Sequence, residues 1–366
     1  MNLIIRIVNL IPNSFVLTAF ILLLSIINND LICQERNQNR LRSGQSGNTL
    51  DIVCSFSDFA AITEFIAKDK ATVSYIAQGE QDPHFVPPKP SYAVMLSKAD
   101  MWISTGMDLE MWSATLLDKA RNKKIMDGET GFVAASAGVN VLEKIEYGNR
   151  TEGDVHLMGN PHINTGPLNL KIIARNITIG LIKSDPSNAS FYEKNRDEYI
   201  NRVDRALFGD KLVDLFGGET LGRMLENGTL FTFLERSYEG GKLIDHLGGW
   251  LKKALPFRGK KIITYHKNWS YFAKTFGLEV VEYIEPKPGI PPSAKHVQNV
   301  IGIIKDQDIK IMVVASYFEK KTAQMIADKT GIKPVYLPLY VKGMPGLDDN
   351  FKLIDYWIDN INSAIK

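Results

Sequence analysis

Three histidines stand in contexts that could hold a metal ion: His84 in Asp82-Pro83-His84, His162 in Asn160-Pro161-His162, and His266 at the end of Lys261-Ile262-Ile263-Thr264-Tyr265. A neutral imidazole presents one lone pair to a transition metal, and the ligands need stiffness more than nearness in sequence. Proline fixes its own φ and pushes the preceding residue toward extended structure, so each Pro-His pair carries its ring on a stiff turn. The apolar run before His266 reads as a strand, and ligands of open α/β sheets gather beyond the carboxyl ends of strands. Separations this wide suit one site between two domains rather than a zinc finger. Asp82 either orients His84 as an acceptor or serves ordinary turn chemistry. His156, in a polar stretch with Glu152 and Asp154, reads as a solvated loop residue that could visit the metal, and His246 and His296 read as surface or structural residues.

The elements that must position these residues alternate between strand and helix. Strands are expected at 51–56, 73–77, 101–104 and 124–126, with helices at 60–67, 91–99 and 109–120 between them. Asp185-Pro186 carries an N-cap signal and proline at the first helical position, which starts a helix running to about residue 207. Residues 208–257 are rich in glycine, including Gly217-Gly218, Gly240-Gly241 and Gly248-Gly249, and read as short helices joined by loops. A second alternation follows, with strands at 261–265, 280–284, 311–315 and 334–337. Helices at 269–276, 294–304, 320–330 and 351–365 complete it. The expected fold is α/β with two lobes, each a mostly parallel sheet flanked by helices, joined by a long rigid helix over 185–207, with the metal site in the inter-lobe cleft. The lobes span 49–184 and 258–366, each with its own core, and 208–257 forms a helical insertion. All five tryptophans are expected in the core, and the proline-rich run from Glu285 to Pro292 reads as a rigid loop bordering the cleft.

With 366 residues and a formal net charge of +2, the chain is long enough for two cored domains and carries no charge excess suited to nucleic acid. Arg6 followed by the apolar stretch 15–27 reads as a secretory signal over residues 1–33, with a polar linker over 34–48. That places the protein in the periplasm or at the cell surface, with lipid attachment at Cys33 as a possible anchor. Cys33 and Cys54 are the only cysteines, so no disulfide framework exists. Cys54 reads as a small core residue.

Several words of the sequence are specific. Asp82-Pro83-His84, Pro90-Ser91, Ala99-Asp100, Gly106 and Leu109-Glu110-Met111-Trp112 occur in one order. Gly159-Asn160-Pro161-His162 follows, and then Tyr265-His266-Lys267-Asn268-Trp269-Ser270-Tyr271-Phe272. In these the chain resembles the solute-binding proteins of ABC transporters that capture zinc or manganese. The resemblance covers about residues 50–207 and 258–366. It implies a monomeric, non-enzymatic carrier that delivers metal to a membrane permease. It also implies that His84, His162 and His266 are ligands of the zinc subtype and that a carboxylate near the C-terminus, Asp348 or its neighbour Asp349, fills the fourth position. The chain departs from the family's pattern in having Ile163-Asn164-Thr165-Gly166 before Pro167 and in lacking a histidine-rich acidic loop.

Three imidazoles and one oxygen ligand suit Zn2+, while Mn2+ favours oxygen-rich, higher-coordinate sites and is the second choice. Affinity is expected to fall as pH drops through roughly 6.5, where free imidazole protonates. The rival from another class is a secreted zinc hydrolase, since three histidines with an open position also activate water. No His-Glu-x-x-His, Gly-x-Ser-x-Gly or phosphate loop accompanies them. A surface adhesin on the same scaffold is a third reading.

Overall fold

The computed structural model describes residues 49–144, 156 and 158–366. The expected export segment, Cys33 and the linker lie outside the described residues. Near the start of the described chain, β1 (Leu50–Phe56) leads through α1 (Ser57–Ala67) to β2 (Ala71–Ala77), and α2 (Pro90–Lys98) leads to β3 (Met101–Ser104). After α3 (Ser113–Ala120) comes β4 (Phe132–Ala134), and α4 (Pro167–Ser184) covers the sheet. The strands are all parallel in the order β2-β1-β3-β4, with Ile52 of β1 opposite Val73 on one side and Met101 on the other. The chain therefore reverses direction across the sheet between β1 and β3, which opens a crevice at their carboxyl ends.

Two elements differ from the sequence-based expectation, for local reasons. The helix expected from 109 begins at Ser113, because Asp108 takes φ 58° and the Glu110 carboxylate accepts from both Thr105 N and Thr105 Oγ1, curling 105–112 into turns. The strand expected at 124–126 is a 3-10 turn, Lys123–Ile125, and the edge strand lies at Phe132–Ala134 instead. Asn122 holds that turn by accepting from Lys124 N and donating to Leu96 O and Ala99 O. Helix α4 was not anticipated, although it buries Leu170, Ile173, Ala174, Ile177 and Leu181 at helical spacing.

The long helix α5 (Ala189–Phe208) follows a 3-10 turn at Pro186–Asn188. Asp185 does not cap it through a backbone N–H; its carboxylate accepts from Ser187 Oγ, Asn188 Nδ2 and Tyr192 OH. The face carrying Tyr192, Asn195, Tyr199, Val203 and Leu207 is buried against α1 and α4. Beyond it come α6 (Asp210–Phe216), α7 (Gly218–Glu226), α8 (Leu230–Leu234), a two-stranded hairpin of β5 (Ser237–Tyr238) and β6 (Gly241–Lys242), and α9 (Gly249–Ala254). Gly209 and Gly248 meet backbone to backbone, where a Cβ on either would come within 2.8 Å of the other's Cα.

The second sheet repeats the topology of the first. It contains β7 (Lys261–Thr264), β8 (Glu279–Tyr283), β9 (Ile311–Ala315) and β10 (Lys333–Leu337), all parallel, in the order β10-β9-β7-β8. Helices α10 (Ser270–Phe276), α11 (Ala294–Asp306), α12 (Lys320–Thr330) and α13 (Asn350–Ile365) flank it. The switch point falls between β7 and β9, so His266, two residues past β7, stands at the position matching the β1/β3 crevice.

The lobes are not separately cored, contrary to the expectation from sequence. Side chains alternate across the second sheet. Ile263, Met312 and Val314 face a small core with Val297 and Ile326, while Ile262, Ile311 and Val313 join one continuous core with Phe56, Leu170, Tyr199 and Trp357. Trp357 on α13 lies edge-on to Trp269, ring centroids 5.1 Å apart, and its Nε1 donates to Pro338 O at 2.6 Å. All five tryptophans are buried. Among the described residues no helix is long and apolar enough to cross a membrane. Replacing Trp357 with Ala removes a fully buried indole from this shared core and leaves the Pro338 carbonyl unpaired, so it should cost about 3–5 kcal/mol. Urea denaturation followed by far-UV circular dichroism would show this as one shifted transition for the whole unit; an unchanged midpoint would refute the shared-core description.

Candidate metal centre

Each loop that reaches the crevice is fixed by its own hydrogen bonds. The loop after β2 carries His84: Trp112 Nε1 donates to Pro83 O at 2.7 Å, and Asp82 Oδ1 accepts from His84 N at 3.0 Å. The same carboxylate oxygen lies 2.6 Å from His84 Nδ1. Asp82 therefore does both jobs weighed from the sequence, closing the turn and orienting the ring. Since a carboxylate only accepts, the proton sits on Nδ1 and the Nε2 lone pair points away from Asp82.

His266 is set in the same way from the second lobe. Its Nδ1 donates to Glu285 O at 2.8 Å, leaving the buried Nε2 without a hydrogen-bond partner. Glu285 N in turn donates to Tyr265 O, so the loop expected to border the cleft does border it, and its Gly289 lies against the Phe85 ring. His162 leads into the 3-10 turn Ile163–Thr165 at the foot of α4, with its carbonyl accepting from Thr165 Oγ1 at 2.9 Å. Its ring is fully buried, and neither nitrogen has a hydrogen-bond partner.

These three rings converge. The ring centroid of His84 is 5.1 Å from that of His162 and 5.7 Å from that of His266, and His162 and His266 are 5.6 Å apart. The structure adds a fourth. His156, expected to be solvated, is only 5% exposed, and its Nε2 lies 3.1 Å from His84 Nε2. One nitrogen from each of His84, His156, His162 and His266 falls within 4.8 Å of all the others. Four nitrogens tetrahedrally bound to one Zn2+ at about 2.0–2.1 Å are about 3.3–3.4 Å apart, so this set needs only a small contraction to hold the ion. The signal in the sequence was its nearness to His162; no periodic pattern marks it.

The carboxylate expected in the fourth position is elsewhere. Asp348 is exposed and paired with Lys352 at 2.8 Å, one helical turn away, while Asp349 accepts from Lys352 N as the cap of α13. The start of that helix claims both side chains on the surface. Of the remaining histidines, His246 stacks edge-on to Tyr238 and His296 contacts Tyr283 O, both outside the cluster.

The electrostatics favour a cation. Burial pushes the His162 pKa well below its usual range, and the neighbouring imidazoles push it further. His266 is pulled down to about 4, mainly by burial, against the opposing hydrogen bond to Glu285 O. These rings stay neutral through mild acid, with lone pairs available for a metal. Protons therefore compete with metal at the most buried positions well below the pH of 6.5 expected of free imidazole. An enclosed imidazole with both nitrogens unpaired costs roughly 1–3 kcal/mol per unmade bond, a cost that one ion at the centre relieves.

Comparison with known proteins finds relatives over most of this chain. The family model described as zinc-uptake complex component A, periplasmic, or ZnuA, matches residues 52–207 and 241–364 and so passes over 208–240. The high-affinity zinc uptake system protein ZnuA of Bacillus subtilis is 24% identical over 324 residues, covering 87% of this chain and 85% of that protein. A manganese ABC transporter substrate-binding lipoprotein, PsaA of Streptococcus anginosus, is also 24% identical, over 88% of this chain and 92% of its own length. A zinc-bound crystal structure of a ZnuA deletion mutant superposes with a TM-score of 0.63 at 21% identity, covering 87% of this chain and 98% of that one.

The depressed histidines contribute a loss of stability in acid to the metal-free protein, opposed by Asp58, whose pKa burial raises to about 7. Below pH 6.5 the unfolded chain takes up protons that the folded His266 refuses until about 4, so this contribution to stability is full above 6.5 and is lost as pH falls toward 4. His266 alone should cost about 2 kcal/mol at pH 5. Differential scanning calorimetry of the metal-free protein at pH 7 and pH 5 should show His266→Asn losing less, or gaining more, melting temperature on acidification than the parent protein. A slope unaffected by the substitution would contradict the burial argument.

Proposed function

Since the chain belongs to the ZnuA family of metal-binding, ABC-transporter substrate-binding proteins, we propose that it is an extracytoplasmic zinc carrier that binds Zn2+ through His84, His156, His162 and His266 and delivers it to a membrane permease. The observation that carries this reading is the convergence of four imidazoles with no carboxylate in the group. An all-nitrogen, four-coordinate donor set suits Zn2+, whereas Mn2+ prefers oxygen ligands and more of them. Relatives of both kinds exist, ZnuA for zinc and PsaA for manganese, and the all-nitrogen donor set of this chain favours zinc.

Four protein ligands also favour a carrier over the hydrolase reading. A catalytic zinc keeps a position open for water, and His156 fills the place that water would take. The protein acts as a monomeric solute-binding component, not as an enzyme. Export through residues 1–33, with or without lipid at Cys33, fits relatives named as periplasmic proteins and lipoproteins. The extensive contacts between the lobes favour a small rotation on loading over a wide hinge.

Titration calorimetry with competing chelators tests the ligand set. Replacing a group that merely orients a ligand typically costs 10–100-fold, so His84→Ala, His156→Ala, His162→Ala and His266→Ala should each weaken zinc binding by more than about 100-fold. Asp348→Ala should leave it unchanged, and the parent protein should prefer Zn2+ to Mn2+. Wild-type affinity in His156→Ala would remove the fourth ligand, and a preference for Mn2+ would overturn the zinc reading.

A further inference from the structure

Asn160 precedes the Pro161-His162 pair and is 3% exposed. Its carboxamide is used on both sides. Oδ1 accepts from His162 N at 3.0 Å, closing a turn around Pro161. Nδ2 donates across the cleft to Lys267 O at 2.7 Å, the carbonyl of the residue after His266, and also lies 3.2 Å from Ser270 Oγ and 3.4 Å from Glu143 Oε2. One side chain thus grips the peptide that carries His162 in the first lobe and the peptide that follows His266 in the second.

Resting on the zinc-site reading above, we infer that Asn160 is a positioning residue that sets the span between His162 and His266, and so the size of the metal cavity. The amide is suited to this because its two ends differ: one accepts and the other donates, matching an N–H in its own lobe and a C=O in the other. Its neighbours hold it in register. Tyr271 OH donates to Asn160 O at 2.6 Å, and Ser270 Oγ donates to Lys267 O at 2.9 Å. A carboxylate in its place keeps the acceptor toward His162 N but turns a second oxygen onto the Lys267 carbonyl and toward Glu143, replacing a bond with repulsion. The ligands themselves are untouched by such a change.

The test compares Asn160→Asp and Asn160→Ser with Ser57→Ala. Serine can still accept from His162 N but is too short to reach Lys267. Ser57 makes a different cross-lobe bond, Oγ to Val341 O at 2.5 Å, and touches none of the four histidines. Zinc affinity is expected to fall about 10- to 100-fold in both Asn160 variants and to hold in Ser57→Ala. Visible spectra of the Co2+-loaded proteins supply a readout that simple loss of stability does not move. The intense bands of four-coordinate cobalt should shift and weaken in the Asn160 variants and stay unchanged in Ser57→Ala. Should Asn160→Asp fail to fold, Asn160→Ser carries the comparison alone. Unchanged zinc affinity and cobalt bands in a folded Asn160 variant overturn the inference while leaving the zinc site intact, as does an equal loss in Ser57→Ala. Failure of the parent protein to bind zinc overturns the metal reading and this inference with it.

Discussion

Four imidazole rings converging in one largely buried crevice, two of them kept neutral by burial, set the terms for the rest of this structure. An imidazole buried without a partner is destabilising, and a buried imidazolium among three others is more so. The fold meets this by giving the outer nitrogens of two rings fixed acceptors, Asp82 for His84 and the Glu285 carbonyl for His266. Those acceptors dictate which nitrogen carries the proton, and the remaining lone pairs are left facing the cavity. The unmet demand at the centre is what a divalent cation satisfies.

Satisfying it requires loops from two sheets to be brought together and kept there. Each sheet contributes loops at a switch point, where the chain turns back across its own strands, so the crevices are products of parallel topology before any ligand residue is considered. The lobes are then locked on more than one side. Ser57 and Asp58 grip the two ends of one peptide unit's neighbourhood, Ser57 Oγ donating to Val341 O and Asp58 Oδ2 accepting from Val341 N, while Asp58 Oδ1 also takes Asn164 Nδ2 near His162. Gly79 lies so close to the 341–343 backbone that a Cβ would come within 2.4 Å of it. Helix α5 adds a third tie, with Asn195 bonded to Ile66 O on α1 and Tyr199 to Asn350 at the start of α13. With the apolar core continuous between the lobes, this packing joins them as well as α5 does.

The donor set links this rigidity to selectivity. On the zinc reading proposed above, a small, nitrogen-lined cavity would disfavour ions that need more ligands or longer bonds, because widening it would break contacts spread over both lobes. Family membership leaves zinc and manganese open, since relatives named for each are equally similar in sequence. The all-nitrogen cluster of four side chains is the ground on which zinc is proposed.

Much of this was legible in the residues themselves. Proline before His84 and His162, the apolar run before His266 and the alternation of strands and helices are local signals, and they lead to two parallel sheets with three of the four clustered histidines in the segments that meet at the crevice. The strand at Ile311–Ala315 and the helix at Lys320–Thr330 were readable to the residue, because burial on a strand and periodicity on a helix leave their mark within a few neighbours. The tertiary structure alone decided the rest. His156 has no local pattern, and its place is fixed beside His84, 72 positions earlier in the chain. Asp348 looked like a ligand until the first turn of α13 claimed it for Lys352. The shared core and the reach of Asn160 to Lys267 join residues about a hundred positions apart, and such pairings carry no periodicity for a sequence to display.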